Sequence, residues 1–161
     1  QLPVRRDYPL SLAAVDTEIA ALETRIAQEK TTPGKKRILD RLELLHFYKL
    51  KAFYHFTGCS EEKLQPNMLM NQPLPIIQLG PVVIAGLPGE PFNEYSARLR
   101  AETLGDNLIV CDQANGYVGY VPTAAQVPLG SYGVNYSLFD ERAEPILFAG
   151  IKAGLKQLQA R

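Results

Sequence analysis

The stretch "VVIAGLPGEPFNEYSARLR", residues 82–100, decides the fold. An apolar run typical of a strand ends at Pro88-Gly89, and Glu90 follows directly. Pro91 suits the first position of a helix, because its missing N–H is not needed there. An amphipathic pattern then predicts a helix over residues 92–103. The stretch therefore predicts a strand, a sharp turn and a helix, with a long carboxylate at the mouth of the strand.

Further apolar runs on both sides predict a small mixed sheet. "PIIQLG", residues 75–80, reads as a strand that turns at Gly80-Pro81. "NLIVCDQ", residues 107–113, is nearly continuous in apolar residues, which is typical of a buried strand. Residues 113–136 are rich in glycine, tyrosine and proline and predict irregular backbone. "AEPILFAGIKAGLKQLQ", residues 143–159, predicts a closing helix. Its inward-facing residues are expected to be Ile146, Ile151 and Leu155.

Residues 10–57 predict a helical hairpin. Ser11 is a candidate N-cap for the first helix. The apolar stripe of that helix consists of Val15, Ile19, Leu22 and Ile26. Pro33-Gly34 predicts a turn, and a second apolar helix follows from about residue 35 to residue 56. The fold class is therefore α/β or α+β: a helical hairpin, then a mixed sheet flanked by helices in residues 74–158.

Composition excludes several classes of protein. The chain of 161 residues carries 17 basic and 17 acidic side chains, which argues against a nucleic-acid binder and a polybasic membrane binder. No apolar run approaches the ~18 residues of a transmembrane helix. Cys59 and Cys111 could form one bridge or remain two buried thiols. A first residue other than Met indicates a trimmed or processed chain. The compartment stays open, with a secreted or periplasmic location favoured.

Glu90 and a later tyrosine-rich segment are the two candidate sites of chemistry. Glu90 either interacts with the helix dipole or projects from the strand end to bind a ligand, since ligands gather at the carboxyl ends of strands in open α/β sheets. In "CDQANGYVGYVPT", residues 111–123, Asn115-Gly116 predicts a turn. Tyr117 and Tyr120 either pack and bond to backbone carbonyls or direct phenol oxygens at a metal or a developing charge.

The two histidines do not form a metal site by themselves. His46 and His55 lie nine residues apart on the predicted second helix. At ~100° per residue, this spacing places them on opposite sides of the helix. No nucleophile elbow, phosphate-binding loop or dinucleotide-binding motif occurs in the sequence.

Taken together, "VVIAGLPGEPFNEYSARLR", "NGYVGYVPT" and "GSYG" resemble the C-terminal portion of the catalytic domain of neutral ceramidases and their bacterial relatives. The resemblance is clearest over residues 76–136 and extends towards residue 158. The preceding hairpin is similar to a helical insertion of the bacterial relatives. What the resemblance implies is a zinc-dependent hydrolase acting on an N-acyl amide or a lipid-like substrate.

The family's motifs also imply roles for particular residues. Glu90 and Tyr120 correspond to zinc ligands, with Tyr120 also a catalytic candidate that ligates the metal or stabilises an oxyanion. The loop-shaping or substrate-contacting candidates are Asn115, Tyr117 and Tyr132. Arg98 is expected to support the site by holding the loop of Glu90.

The family's other zinc ligands are histidines that precede this region, and the sequence has no counterpart of their motif. Catalytic zinc normally takes three protein ligands, so residues 1–161 would form half of a larger catalytic domain. The N-terminal half would come from a separate chain. Phe92-Asn93 and Tyr132-Gly133 depart from the family's Thr-Thr and Tyr-Glu, which indicates an altered pocket. Two alternatives remain: a non-catalytic binding or scaffold subunit of this fold, and an independent domain of unrelated function.

Overall fold

The structure is a computed structural model, and it describes residues 1–6, 12–55 and 66–160. These residues form two compact units: a helical unit, Arg6–Met68, and an α/β unit that combines Gln1–Arg5 with Leu69–Arg161. The predicted fold class is confirmed, because a helical hairpin precedes mixed sheets and further helices.

The helical unit is a hairpin of α1 (Leu12–Gln28) and α2 (Thr32–His55). The predicted stripe of α1 forms its packed face, since three of its four members are buried: Val15, Ile19 and Leu22. The matching face of α2 buries Ile38, Leu45 and Tyr48. Apolar residues at helical spacing therefore hold the two helices together.

The turn between α1 and α2 lies at residues 29–31, so the prediction of a turn at Pro33-Gly34 is wrong. The backbone N–H and the hydroxyl of Thr31 both donate to the carboxylate of Glu29, each at 2.9 Å. Pro33 falls in the first turn of α2, where its missing N–H is tolerated. Three predicted features lie outside the described residues: the cap Ser11, the helix end at Phe56, and Cys59.

A short ribbon opens the α/β unit. The strands β1 (Leu2–Pro3) and β2 (Leu69–Met70) pair in antiparallel orientation. Val4 forms a bridge with Phe139, and the guanidinium of Arg142 donates to the Val4 carbonyl at 2.9 Å. The first residues are thereby fixed to the C-terminal part of the unit.

The main sheet of the α/β unit has three strands. The strands β3 (Ile76–Leu79) and β4 (Val82–Gly86) form the predicted hairpin. Parallel strands need a long crossover, and the helix α3 (Asn93–Glu102) supplies it between β4 and β6 (Leu108–Cys111). The strand of the opening stretch is thus the centre of the sheet.

The strand β6 is an edge strand, and the prediction that it is buried is wrong for alternate residues. Leu108 is buried, whereas Ile109 is 48% exposed and Cys111 carries an exposed free thiol. A continuous apolar run does not distinguish a central strand from an edge strand, because neighbours distant in sequence decide the coverage.

The closing helix α5 (Ala143–Gln159) has the predicted bounds and packs against β3. Ile151 and Leu155 face the core as expected, whereas Ile146 is 38% exposed, contrary to the prediction. A Cβ at Gly154 would lie 2.2 Å from Cδ1 of Ile76, so the missing side chain permits a close approach of helix and sheet.

Residues 113–136, predicted as irregular, contain only short elements. The strand β5 (Glu90–Pro91) pairs in parallel with β7 (Tyr120–Val121), and a short helix α4 (Tyr132–Asn135) follows. No helix among the described residues is long and apolar enough to span a bilayer.

Candidate functional site

Gly89 brings together the two loops that carry the predicted site residues. Its φ of +58° lies in the left-handed region that glycine adopts without strain. A Cβ at this position would lie 2.2 Å from the carbonyl oxygen of Gly119. Conformation and packing both therefore require glycine in the turn before Glu90.

The backbone of this turn pairs with the second loop. The N–H of Glu90 donates to the Gly119 carbonyl at 2.8 Å, and the N–H of Phe92 donates to the Val121 carbonyl at 3.1 Å. Glu90 and Tyr120 are register partners of the β5–β7 pair. Because registered residues in a parallel pair direct their side chains to the same side, the carboxylate and the phenol converge.

The segment before Tyr117 is folded back onto the same turn. The N–H of Gln113 donates to the Gly89 carbonyl at 2.7 Å, and the N–H of Gly89 donates to the Gly116 carbonyl at 3.3 Å. Asn115 has a φ of +60°, a conformation that Asn tolerates better than most residues. The structure thus places Asn115 where it determines the shape of the loop.

Glu90 is the charged neighbour of two phenols. Partial desolvation, together with hydrogen bonding and the charge of Glu90, raises the pKa of Tyr117 to about 12. The same causes, with desolvation first, raise the pKa of Tyr120. Both phenols are therefore neutral at pH 7 and keep their protons beside the carboxylate.

Tyr132 lies at the rim of this cluster. Its ring meets that of Tyr120 edge-on at 5.7 Å and that of Tyr136 at 4.6 Å, yet Tyr132 remains 64% exposed. The structure therefore brings together four of the predicted site residues: Glu90, Tyr117, Tyr120 and Tyr132. An exposed aromatic rim next to a carboxylate offers apolar contact area to a ligand.

Two contacts around Tyr120 were not predicted from the sequence. Ser137 is fully buried, and its hydroxyl donates to the Tyr120 carbonyl at 2.7 Å while accepting from the N–H of Phe139 at 2.9 Å. A Cβ at Gly133 would lie 2.7 Å from the ring of Phe92 and 3.3 Å from the ring of Tyr120. Neither contact has a sequence signal, because each joins residues distant along the chain.

Arg98 does not hold the loop of Glu90, and that expectation is corrected. Its guanidinium pairs with the buried carboxylate of Glu144 and lies over the ring of Phe148 at 4.4 Å from the centroid. The other carboxylate oxygen of Glu144 accepts the N–H of Ala124 at 2.5 Å. Arg98 therefore anchors the segment that follows β7.

The donor set is suited to a partial metal site. Across residues 1–6, 12–55 and 66–160, no group of three or more His, Cys, Asp and Glu residues could hold a metal ion. Glu90 and Tyr120 offer two adjacent oxygen donors, and oxygen is an accepted ligand of zinc. A complete site would need further ligands beyond this pair.

Comparison with known proteins gives no further assignment: no family model, no curated protein and no solved structure matches this chain.

Proposed function

We propose that this chain is part of a zinc-dependent hydrolase of N-acyl amides, similar to the neutral ceramidases. Glu90 and Tyr120 would supply two oxygen ligands, and imidazoles of a separate polypeptide, the N-terminal half of the same catalytic domain, would supply the others. The observation that supports this proposal is the register pairing of Glu90 with Tyr120, which directs the carboxylate and the phenol to the same side of the strand pair.

Each residue of the cluster has a distinct role in the proposed site. Zinc, when bound, supplies a Lewis acid that polarises the amide carbonyl and lowers the pKa of water. Glu90 contributes the negative charge that attracts the cation. Tyr120 contributes either a ligand oxygen or, as a neutral phenol, a hydrogen bond to the charge that develops on the amide oxygen.

Tyr117 and Tyr132 are suited to orienting the substrate. Tyr117 lies close enough to Glu90 for the carboxylate to raise the pKa of the phenol, whereas the exposed ring of Tyr132 presents an apolar surface beside it. Such a surface supports a substrate with an apolar acyl chain. Phe92 fills space near Tyr120 that Gly133 leaves open, which supports a pocket shape different from that of the ceramidases.

The test compares matched variants of the native assembly purified through a tag on this chain. We expect about one zinc per complex and hydrolysis of at least one member of an N-acyl amide panel. Glu90→Gln should lower zinc affinity about tenfold or more, because it removes a charged ligand. Tyr120→Phe should lower both zinc content and hydrolysis, whereas Tyr117→Phe should retain zinc.

A metal-free native assembly without hydrolytic activity would contradict the proposal and favour the non-catalytic binding or scaffold subunit. Equal zinc content in the Glu90→Gln and wild-type assemblies would also contradict it.

A further inference from the structure

The loop between β6 and β7 contains the pair Asn115-Gly116, the only Asn-Gly sequence in the chain. In such a pair the backbone nitrogen of the glycine can attack the side-chain carbonyl carbon of the asparagine, because glycine has no side chain to hinder the approach. The reaction requires an exposed asparagine, a glycine nitrogen that donates no hydrogen bond, and a backbone that can rotate between the two residues.

Both residues are exposed, and their reacting groups are not engaged. Within the described ranges, no group accepts the N–H of Gly116 and none pairs with the side-chain amide of Asn115. An N–H that donates no hydrogen bond loses its proton more readily, since a hydrogen bond to the neutral form of a group disfavours the charged form. The nitrogen of Gly116 is therefore available for attack as the pH rises above neutrality.

The backbone around the pair is held loosely. Gly116 has a φ of +130°, a conformation open to glycine, and a Cβ there would meet nothing within 4 Å. The N–H of Gly89 donates to the Gly116 carbonyl at 3.3 Å, which is longer than the usual range of about 2.7–3.2 Å. The peptide that joins Asn115 to Gly116 can therefore rotate towards ring closure without breaking a strong contact.

Asn135 is an internal control with the same amide in a protected backbone. It is also exposed, but it lies in α4, and the N–H of the next residue, Tyr136, donates to the Tyr132 carbonyl at 3.1 Å. Attack by the nitrogen of Tyr136 would break this bond and would force the tyrosine side chain against the reacting amide. The fold therefore protects Asn135 and leaves Asn115 open to the same reaction.

We propose that Asn115 is a site of spontaneous modification that places a carboxylate in the loop next to the turn of Glu90. The Gly116 nitrogen gives up its proton and bonds to Cγ of Asn115, and the side-chain nitrogen leaves as ammonia, which gives a succinimide ring. Water then opens the ring: cleavage of the bond to Cγ yields aspartate, and cleavage of the bond to the backbone carbonyl carbon yields isoaspartate. The net reaction consumes one water and releases one ammonia, and no electrons are transferred. This inference is independent of the proposed function.

Either product changes the candidate site. Gln113 and Gly116 both bond to the backbone of Gly89, so the new charge lies on the loop that contacts the turn of Glu90. Isoaspartate also lengthens the main chain by one carbon before the nitrogen of Gly116, which displaces the Gly116 carbonyl from the N–H of Gly89. The pair is therefore a slow, irreversible switch in the loop that carries Tyr117.

The test is incubation of the folded full chain at mildly alkaline pH, followed by peptide mapping for the mass gain that accompanies conversion of an amide to an acid. We expect Asn115 to convert about tenfold or more faster than Asn135, which corresponds to a barrier lower by about 1.4 kcal/mol. Asn115→Gln should abolish the mass gain at this position, because the longer side chain would have to close a less favoured ring. In the purified isoaspartate product, amide hydrogen exchange at Gly89 should be faster than in the unmodified chain, since its acceptor is displaced.

Equal rates at Asn115 and Asn135 would overturn the proposal. Conversion of Asn115 more than about tenfold slower in the folded chain than in the chain unfolded in urea would also overturn it, because the fold would then protect the pair. Unchanged exchange at Gly89 in the isoaspartate product would overturn the switch, and a mass gain retained in Asn115→Gln would assign the modification to another residue.

Discussion

The ring of Phe92 occupies the space into which a side chain at position 133 would project: a Cβ on Gly133 would lie 2.7 Å from Cε1 of Phe92. Both positions differ from the ceramidase pattern, and the structure shows that the two differences contact each other. The large residue at one position and the missing side chain at the other are therefore a compensating pair beside Tyr120.

Gly133→Ala should destabilise the chain by about 1–3 kcal/mol, because the added methyl group overpacks against a ring. Phe92→Thr, the residue type of the ceramidase motif, should reduce the cost of Gly133→Ala by opening the space. Urea unfolding of the two single variants and the double variant gives the coupling free energy. Additive effects would show that the two positions are independent.

Gly89→Ala tests the close approach of the two site loops. We expect a loss of unfolding free energy about 1–3 kcal/mol larger than that of Gly105→Ala, which is the typical cost of core overpacking. Gly105 is the matched control, because its φ is +60° but a Cβ there would meet nothing within 4 Å. Both variants place a side chain in the left-handed backbone conformation, which costs about 1–2 kcal/mol. Only Gly89→Ala adds the close contact with Gly119. Equal losses of unfolding free energy in the two variants would show that the close approach to Gly119 does not require glycine at position 89.

Much of the fold could be predicted, because local patterns determine it. The bounds of α5 follow from its helical periodicity, and the β3–β4 hairpin follows from two apolar runs around Gly80-Pro81. The turn before α2 could not be placed, since Pro33-Gly34 is compatible with both a turn and the first turn of a helix. The exposure of β6 depends on neighbours that the run itself does not specify.

The candidate site could be predicted only in part, because local patterns indicate some of its residues and packing between distant segments determines the others. Glu90 and Tyr120 each follow a strand, so their proximity could be expected from the strand-end rule. The support of Tyr120 by Ser137, and the ion pair that draws Arg98 to Glu144, depend on packing between distant segments. Such contacts produce no recognisable residue spacing in the sequence.

The ion pair between Arg98 and Glu144 should contribute measurably to stability. Arg98→Gln leaves the buried carboxylate of Glu144 without its cation, and we expect a loss of about 1–3 kcal/mol, reduced from the fully buried case because the arginine is half-exposed. Arg100→Gln is the control, since its partner Asp106 is fully exposed and solvent screens the pair, so little or no loss is expected. Thermal unfolding distinguishes the two; similar losses would contradict the assigned role.

The tyrosine cluster should titrate at high pH. The pKa of Tyr117 is raised to about 12 in the folded chain from an unfolded value near 10. Its stabilising contribution is therefore fully present below pH 10 and is lost as the pH rises through about 12.

Glu90→Gln should lower the pKa values of Tyr117 and Tyr120 towards 10 without reaching it, because desolvation is the largest cause of both shifts. Phenolate absorbance across a pH titration measures this, with Tyr117→Phe and Tyr120→Phe assigning each step. Unchanged phenol pKa values in Glu90→Gln would show that the carboxylate does not interact with these phenols.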